Sequence, residues 1–280
     1  MMIGDVEVLR VVEWAGPFAS PSEVFPEIPV DAWHDNHDLL VPEHWDPAGD
    51  GWLATMQSWV LRSNGQTIVI DTGVGNNKQG VVPVFQHWNT GFLQALAHYG
   101  VQPGDVDVVV NTHLHSDHVG WNTTFVDGQW TPTFPNATYL ISELDNAFAA
   151  DDPLYVESVE PVLQAGLARL WRDSLRIDDN LELVATPGHT PGSAVVRLQS
   201  QGEAAVFVGD VVHSPLQILH PHCNSVFCDD SASARRSRLA VLDRAAEVEE
   251  WVFPAHFGGT GAVQVHREGT GFGIEKWADL

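Results

Sequence analysis

Lysine and cysteine are the scarcest chemistry-bearing residues of this chain. Only Lys78, Lys276, Cys223 and Cys228 occur in 280 residues. Two cysteines cannot build a disulfide framework and read as free thiols in a reducing compartment. Basic residues number 13 against 37 acidic ones, a formal charge of −24. Nucleic acid and anionic membrane surfaces both require a basic footprint, so neither is expected as a partner. Acidity of this kind serves solubility. No apolar run approaches the roughly 18 residues of a spanning helix. Residues 1–10 also lack the basic stretch and apolar core of a signal peptide. These absences predict a cytoplasmic location. What is present, 44% hydrophobic and 18% charged residues, is ordinary for a globular chain. With no repeat and no linker to divide it, 1–280 is expected to form one large domain.

The order of elements predicts an α/β protein. Val6–Trp14 reads as a first strand. Gly16–Gly51 then has no sustained period but holds Phe18, Phe25, Trp33, Trp45 and several histidines. Aromatics argue against disorder, so this stretch is expected to be a lid or pocket wall, with a homodimer contact as the competing reading. Leu53–Arg62 and Gln66–Ile70 are strands joined by Ser63-Asn64-Gly65, a hairpin signal. Phe92–Tyr99 has helical spacing and stops at Gly100. Strands are expected at Val106–Val110 and Ala137–Ser142, and a helix over Ser142–Ala150. A longer helix is expected over Tyr155–Arg172, where Val159, Val162, Leu163, Leu167 and Leu170 share one face. Further strands fall at Leu181–Ala185, Ser193–Leu198, Ala204–Val208 and Glu250–Phe253, with a helix over Ala232–Val248. Strands in two blocks, each followed by helices, describe two similar halves facing each other.

One stretch is hard to explain as packing. Thr112-His113-Leu114-His115-Ser116-Asp117-His118-Val119-Gly120 places three imidazoles and a carboxylate in six residues, directly after a buried-type strand. Further polar groups also sit where strands end: Asp71, His189 in Gly188-His189-Thr190-Pro191-Gly192, Asp210 after Gly209, and His256 after Ala255. Ends of core strands can converge on one edge of a layered domain. Imidazole clusters with open positions suit a catalytic metal, zinc first, and no thiolate forces the choice away from iron or manganese. His220-Pro221-His222-Cys223 and Cys228 have spacings irregular for structural zinc and read as pocket-edge packing. The dispersed His34, His37, His44, His87, His98 and His266 read as surface or satisfied core residues.

H-x-H-x-D-H, then Gly-His-Thr-Pro-Gly, then Gly-Asp, then a late His closely resemble the metallo-β-lactamase-fold hydrolases, over roughly Leu53–Phe257. The resemblance implies a four-layer αβ/βα sandwich with a two-metal site at one edge of the two sheets. It implies that His113, His115 and His189 hold the first metal, that Asp117, His118 and His256 hold the second, and that Asp210 bridges them. Asp71 matches an acidic residue that hydrogen-bonds a ligand histidine, and Thr190 is a further candidate for orienting one. The cofactor implied is two Zn2+ per chain, with iron or manganese also fitting.

Departures narrow the activity. Zinc β-lactamases of the main subclass have Cys where this chain has Asp210. Glyoxalase II-type thioesterases bind glutathione through basic residues, which are scarce here. Diiron electron-transfer relatives typically carry H-x-E-x-D-H, and Leu114-His115 lacks that Glu. The lactonase and organophosphate or aryl-ester hydrolase branch fits best. The expected activity is metal-dependent hydrolysis, by metal-bound hydroxide, of a neutral hydrophobic lactone or ester, or of a phosphotriester. Asp117, His213 or a bound water would deliver the leaving-group proton. Quorum-signal lactonases have a Tyr three residues after the bridging Asp. Here that position is His213, which either polarises a carbonyl or packs for structure alone. The alternatives are thioesterase or β-lactamase activity, or an iron oxidoreductase on the same scaffold.

Overall fold

The computed structural model describes residues 1–269 and 271–279. Two mixed β-sheets lie face to face, of eight and seven strands. The first runs Met2–Ile3, Val6–Ala19, Gly51–Ser63, Gln66–Ile70, Val108–Val110, Thr138–Ser142, Ala168–Trp171, with Trp45–Asp46 added against Gly51–Ser63. The second runs Ser174–Arg176, Leu181–Ala185, Ala194–Ser200, Glu203–Gly209, Trp251–Pro254, Val263–Glu268, Gly271–Trp277.

Strand alternation shows how the layers arise. Ile68, Ile70, Val108 and Val110 from the first sheet meet Leu183, Val196, Ala205 and Phe207 from the second in one buried cluster. Their neighbours Val69 and Val109 face outward, where Phe92, Leu96, Val159 and Val162 cover them. On the far side Val206, Val208 and Val252 pack under Val241, Leu242 and Ala245 of the helix Ser231–Val248. Helix, sheet, sheet, helix is the αβ/βα sandwich expected. The helix Ser231–Val248 starts where the Asp230 carboxylate accepts the Ala232 and Ser233 amides, each at 3.0 Å. The Asn64-Gly65 turn has both residues at positive φ, 50° and 78°, and joins strands paired from Ser63 to Gln66.

Three expectations change. The helix expected over Tyr155–Arg172 is two short ones, Pro153–Ser158 and Glu160–Gln164. Pro161 opens the second, and Gly166 at φ 72° ends it. Residues Ala168–Trp171 then pair in parallel with Thr138–Ser142, which turns Leu170 outward, 43% exposed. The first strand does not end at Trp14 but continues to Ala19 against Gly51–Ser63. The rest of 16–51 forms three short helices and a short strand, with Phe25, Trp33 and Trp45 buried. The hairpin of Val263–Glu268 and Gly271–Trp277 adds two strands beyond those expected. No helix among the described residues is long and apolar enough to cross a membrane.

Strand direction positions the site. Gln66–Ile70, Val108–Val110 and Thr138–Ser142 run parallel, as do Glu203–Gly209 and Trp251–Pro254. Their carboxyl ends deliver Asp71, the 112–120 loop, Asp145, Asp210 and His256 to one edge. That loop closes at Gly120, where an added Cβ would lie 1.8 Å from the Val74 carbonyl oxygen. Backbone cannot yield as a side-chain tip can, so Gly120→Ala is expected to cost about 2–3 kcal/mol. A thermal melt should show Tm lowered by roughly 5 °C. An unchanged Tm would contradict this packing.

Candidate metal centre

The loop after Val108–Val110 is pinned from behind before it presents any side chain. Asp71, at φ 57°, accepts the Thr112 amide and the Thr112 hydroxyl, both at 2.8 Å. Its Oδ2 also lies 2.8 Å from His118 Nδ1. One carboxylate therefore sets the start of the loop and the orientation of the His118 ring together, with Nε2 turned toward the cluster. The Thr112 hydroxyl lies 3.2 Å from His113 Nδ1, and the Thr55 carbonyl 3.1 Å from His256 Nδ1, so these two rings are oriented in the same way.

Asp210 is the centre of the cluster. Its Oδ2 lies 3.1 Å from His189 Nε2, 3.2 Å from His213 Nε2 and 3.7 Å from His113 Nε2. Its Oδ1 lies 3.0 Å from His256 Nε2 and 3.2 Å from His118 Nε2. Asp117 Oδ2 is 3.6 Å from His256 Nε2 and 3.7 Å from His118 Nε2. His115 Nδ1 is 2.9 Å from His189 Nε2. The coordinating atoms fall into two groups, His113, His115, His189 and Asp210 in one, Asp117, His118 and His256 in the other, each within 4.8 Å of one another. All seven residues singled out in the sequence meet here.

The donors fit divalent cations. His113 Nε2, His118 Nε2 and Asp210 Oδ1 are buried without a hydrogen-bond partner, a costly arrangement unless something electropositive satisfies them. Burial, then the neighbouring His118, keeps the His113 imidazole well below its ordinary pKa, in the neutral form a ligand needs. At His118 burial pulls the other way from Asp210, Asp117 and Asp71, and the three carboxylates prevail, holding its pKa well above the ordinary value. The field at that group attracts positive charge.

His213 sits beside this cluster, buried, with its ring stacked on His256 at 5.6 Å and 13°. Its amide donates to Gln217 Oε1 at 2.7 Å, and neither ring nitrogen has a hydrogen-bond partner. A cavity of about 240 Å3 opens over the cluster, reaching Asp117, Asp210, His213 and His256. Its walls are largely apolar, with Phe18, Trp52, Met56, Phe85, Leu114 and Phe227, and among the described residues no lysine or arginine lines it. Within 16–51, Phe18 reaches the cavity, while Phe25 backs Trp52 and His213.

Several buried groups that support the site have no sequence signature. Asp145 accepts the Leu114 amide at 3.2 Å, the Thr190 hydroxyl at 2.8 Å and the Gly192 amide at 2.5 Å. It joins the H-x-H-x-D-H loop to the Gly-His-Thr-Pro-Gly turn. Thr190 therefore serves Asp145 and not a ligand ring. Glu13 accepts the Val74 and Gly75 amides, the Thr90 hydroxyl and the Trp121 indole, and burial raises its pKa. Cys228 Sγ lies 3.8 Å from His189 Nδ1, closer to the chemistry than edge packing implies, whereas Cys223 Sγ donates to the Glu27 carbonyl. Lys78 is buried, its ammonium bonded to Thr123 and the Glu157 carbonyl and set over the Trp130 ring. It does not line the cavity.

Asp71→Asn keeps the shape but offers one acceptor oxygen where three donors need it. Metal affinity, measured by competition with a chelator, is expected to fall about 10–100-fold. Unaltered affinity would show that His118 needs no orienting carboxylate.

Comparison with known proteins agrees with this geometry. Residues 56–256 match the Metallo-beta-lactamase superfamily. Metallo-beta-lactamase domain-containing protein 1 of Rattus norvegicus is 30% identical over 229 residues, 78% of this chain and 74% of that protein. Ribonuclease TTHA0252 of Thermus thermophilus is 28% identical over 179 residues, 62% of this chain, and the match spans 39% of the ribonuclease. The solved structure of AidC, a dizinc quorum-quenching lactonase, superposes with a TM-score of 0.81 at 19% identity, covering 100% of this chain and 97% of its own. At that identity the likeness is one of fold. The family match and the His/Asp cluster place this chain in the metallo-β-lactamase superfamily, as a metal-dependent hydrolase.

Proposed function

We propose that the chain is a dinuclear hydrolase that opens neutral, hydrophobic lactones or esters. The observation that carries this reading is the orientation of Asp210, whose two oxygens face different groups of imidazoles, Oδ2 toward His113 and His189, Oδ1 toward His118 and His256. His113, His115 and His189 would hold one ion, Asp117, His118 and His256 the other, and Asp210 both. Zinc suits this set, and iron or manganese would fit the same donors. Bound cations of this kind polarise a carbonyl and activate water at neutral pH.

The chain's own residues supply the rest. Apolar walls take up the acyl or alkyl part of a substrate by removing it from water. With no cation lining the cavity, a substrate carboxylate finds no side-chain partner, which disfavours glutathione thioesters and β-lactams. A phosphotriester is neutral and would be accepted on the same grounds. Burial, opposed by Asp210, lowers the His213 pKa below the ordinary value. A neutral His213 can donate a hydrogen bond to the oxygen on which charge develops. Asp117, the more open of the two acidic members, would pass a proton to the leaving group. AidC, described as a lactonase, shares the fold, in keeping with a lactone as one substrate class.

A panel of lactones, aryl esters, a phosphotriester, a β-lactam and a glutathione thioester tests this reading. The lactone or aryl ester should be the best substrate, and Asp210→Ala should abolish its turnover. His213→Phe should lower kcat about 100-fold with little change in KM. A β-lactam or thioester as best substrate would refute the assignment. An unchanged kcat in His213→Phe would leave His213 a packing residue.

A further inference from the structure

The turn that carries His256 is held in an unusual way. His256 follows the strand Trp251–Pro254 of the second sheet, yet its hydrogen bonds go to the first. The Thr55 amide donates to the His256 carbonyl at 3.2 Å, and the Thr55 carbonyl receives His256 Nδ1. Gln57 Nε2 donates to the Pro254 carbonyl at 2.9 Å, joined there by Trp59 Nε1 at 3.3 Å. Arg10, on the neighbouring strand, closes the arrangement. Its Nε donates to Gln57 Oε1 at 2.5 Å, its Nη2 to the Phe257 carbonyl at 2.9 Å, and its Nη1 to the Gly259 carbonyl. One guanidinium thus grips the turn on both sides of His256, through Gln57 before it and directly after it. The Glu43 carboxylate adds a bond from the Gly259 amide at 3.1 Å. A planar fork with several fixed donors can do this, and a point charge such as lysine can do so only in part.

The other half of the cluster is held by different groups. Asp145 ties Leu114, between His113 and His115, to Thr190 and Gly192, which flank His189. None of its bonds reaches the 254–259 turn, and none of Arg10's reaches the 112–120 or 188–192 loops.

We propose that Arg10 is the positioning residue of the His256 half of the centre and Asp145 that of the His113/His115/His189 half, so that the affinities of the two metal positions can be altered separately. This rests on the dinuclear reading above. Arg10 does not line the cavity over the cluster and acts through the turn. Asp145 likewise bonds to the backbone and hydroxyl groups that set the ligands.

The test titrates the metal-free, full-length protein with Zn2+ against a chelating dye, together with thermal melting of the metal-free form. Wild type should show two binding steps. Arg10→Met should weaken one step about 10–100-fold and leave the other unchanged, and Arg10→Lys should recover part of the loss. Asp145→Asn should weaken the opposite step. In a His256→Ala background, Arg10→Met should add nothing further, because the residue it positions is gone. Gln57→Leu breaks the same clamp at its other end and should reproduce the Arg10→Met pattern, should that variant fold poorly. Equal weakening of both steps, or a further loss on top of His256→Ala, would overturn the separate clamps. Saturation at one Zn2+ per chain in wild type would instead overturn the dinuclear reading itself.

Discussion

A carboxylate shut away from water among five imidazoles is the constraint on which the rest of the structure depends. Asp210 is 7% exposed, and Nε2 atoms of His113, His118, His189, His213 and His256 all lie within 3.7 Å of it. Burying such a charge costs several kcal/mol unless it is paired or coordinated. Apart from the His115–His189 contact, several of the imidazole nitrogens have no partner at all. Protons or metal ions must supply the positive charge. Metal binding by such a site displaces protons and is linked to pH.

The surrounding fold keeps these groups from relaxing away. Each donor lies on a loop just beyond a strand end, and these loops are tied down by polar residues from elsewhere. Asp71 holds Thr112 and His118, Asp145 holds the 114 and 190–192 backbones, and Arg10 with Gln57 holds the His256 turn. Two sheets, separated by the apolar layer of Ile68, Val110, Val196 and Phe207, fix the distances between those loops. Hydrophobic packing thus positions the strands, and a small set of charge-assisted hydrogen bonds positions the ligands.

The clustered His and Asp residues were legible in the sequence because their signal is local. H-x-H-x-D-H after Val108-Val109-Val110 is a chemical statement within a dozen residues, and His189, Asp210 and His256 each follow a readable strand. Asp145 and Arg10 were not legible. A carboxylate in the first turn of a helix is ordinary, and an arginine in a strand carries no mark of partners more than 200 residues away. The helix expected over Tyr155–Arg172 shows the converse. Its apolar spacing fits a helix, but Pro161 and Gly166 divide it, and a parallel partner 30 residues earlier captures Ala168–Trp171. Pairing of that kind is tertiary and overrides local period. The aromatics of 16–51 signalled burial correctly, but could not show that Phe18 would line the cavity while Phe25 sits behind it and Trp33 and Trp45 pack further in.

The cavity above the cluster joins apolar walls to a floor of acidic and imidazole groups, which suits an uncharged substrate with one polarisable bond. Everything in this account depends on Asp210 serving both halves of the centre. Anomalous diffraction from zinc-loaded crystals tests that most directly. Two peaks are expected to flank Asp210, one among His113, His115 and His189 and one among Asp117, His118 and His256. A single peak, or a second one away from Asp210, would contradict it.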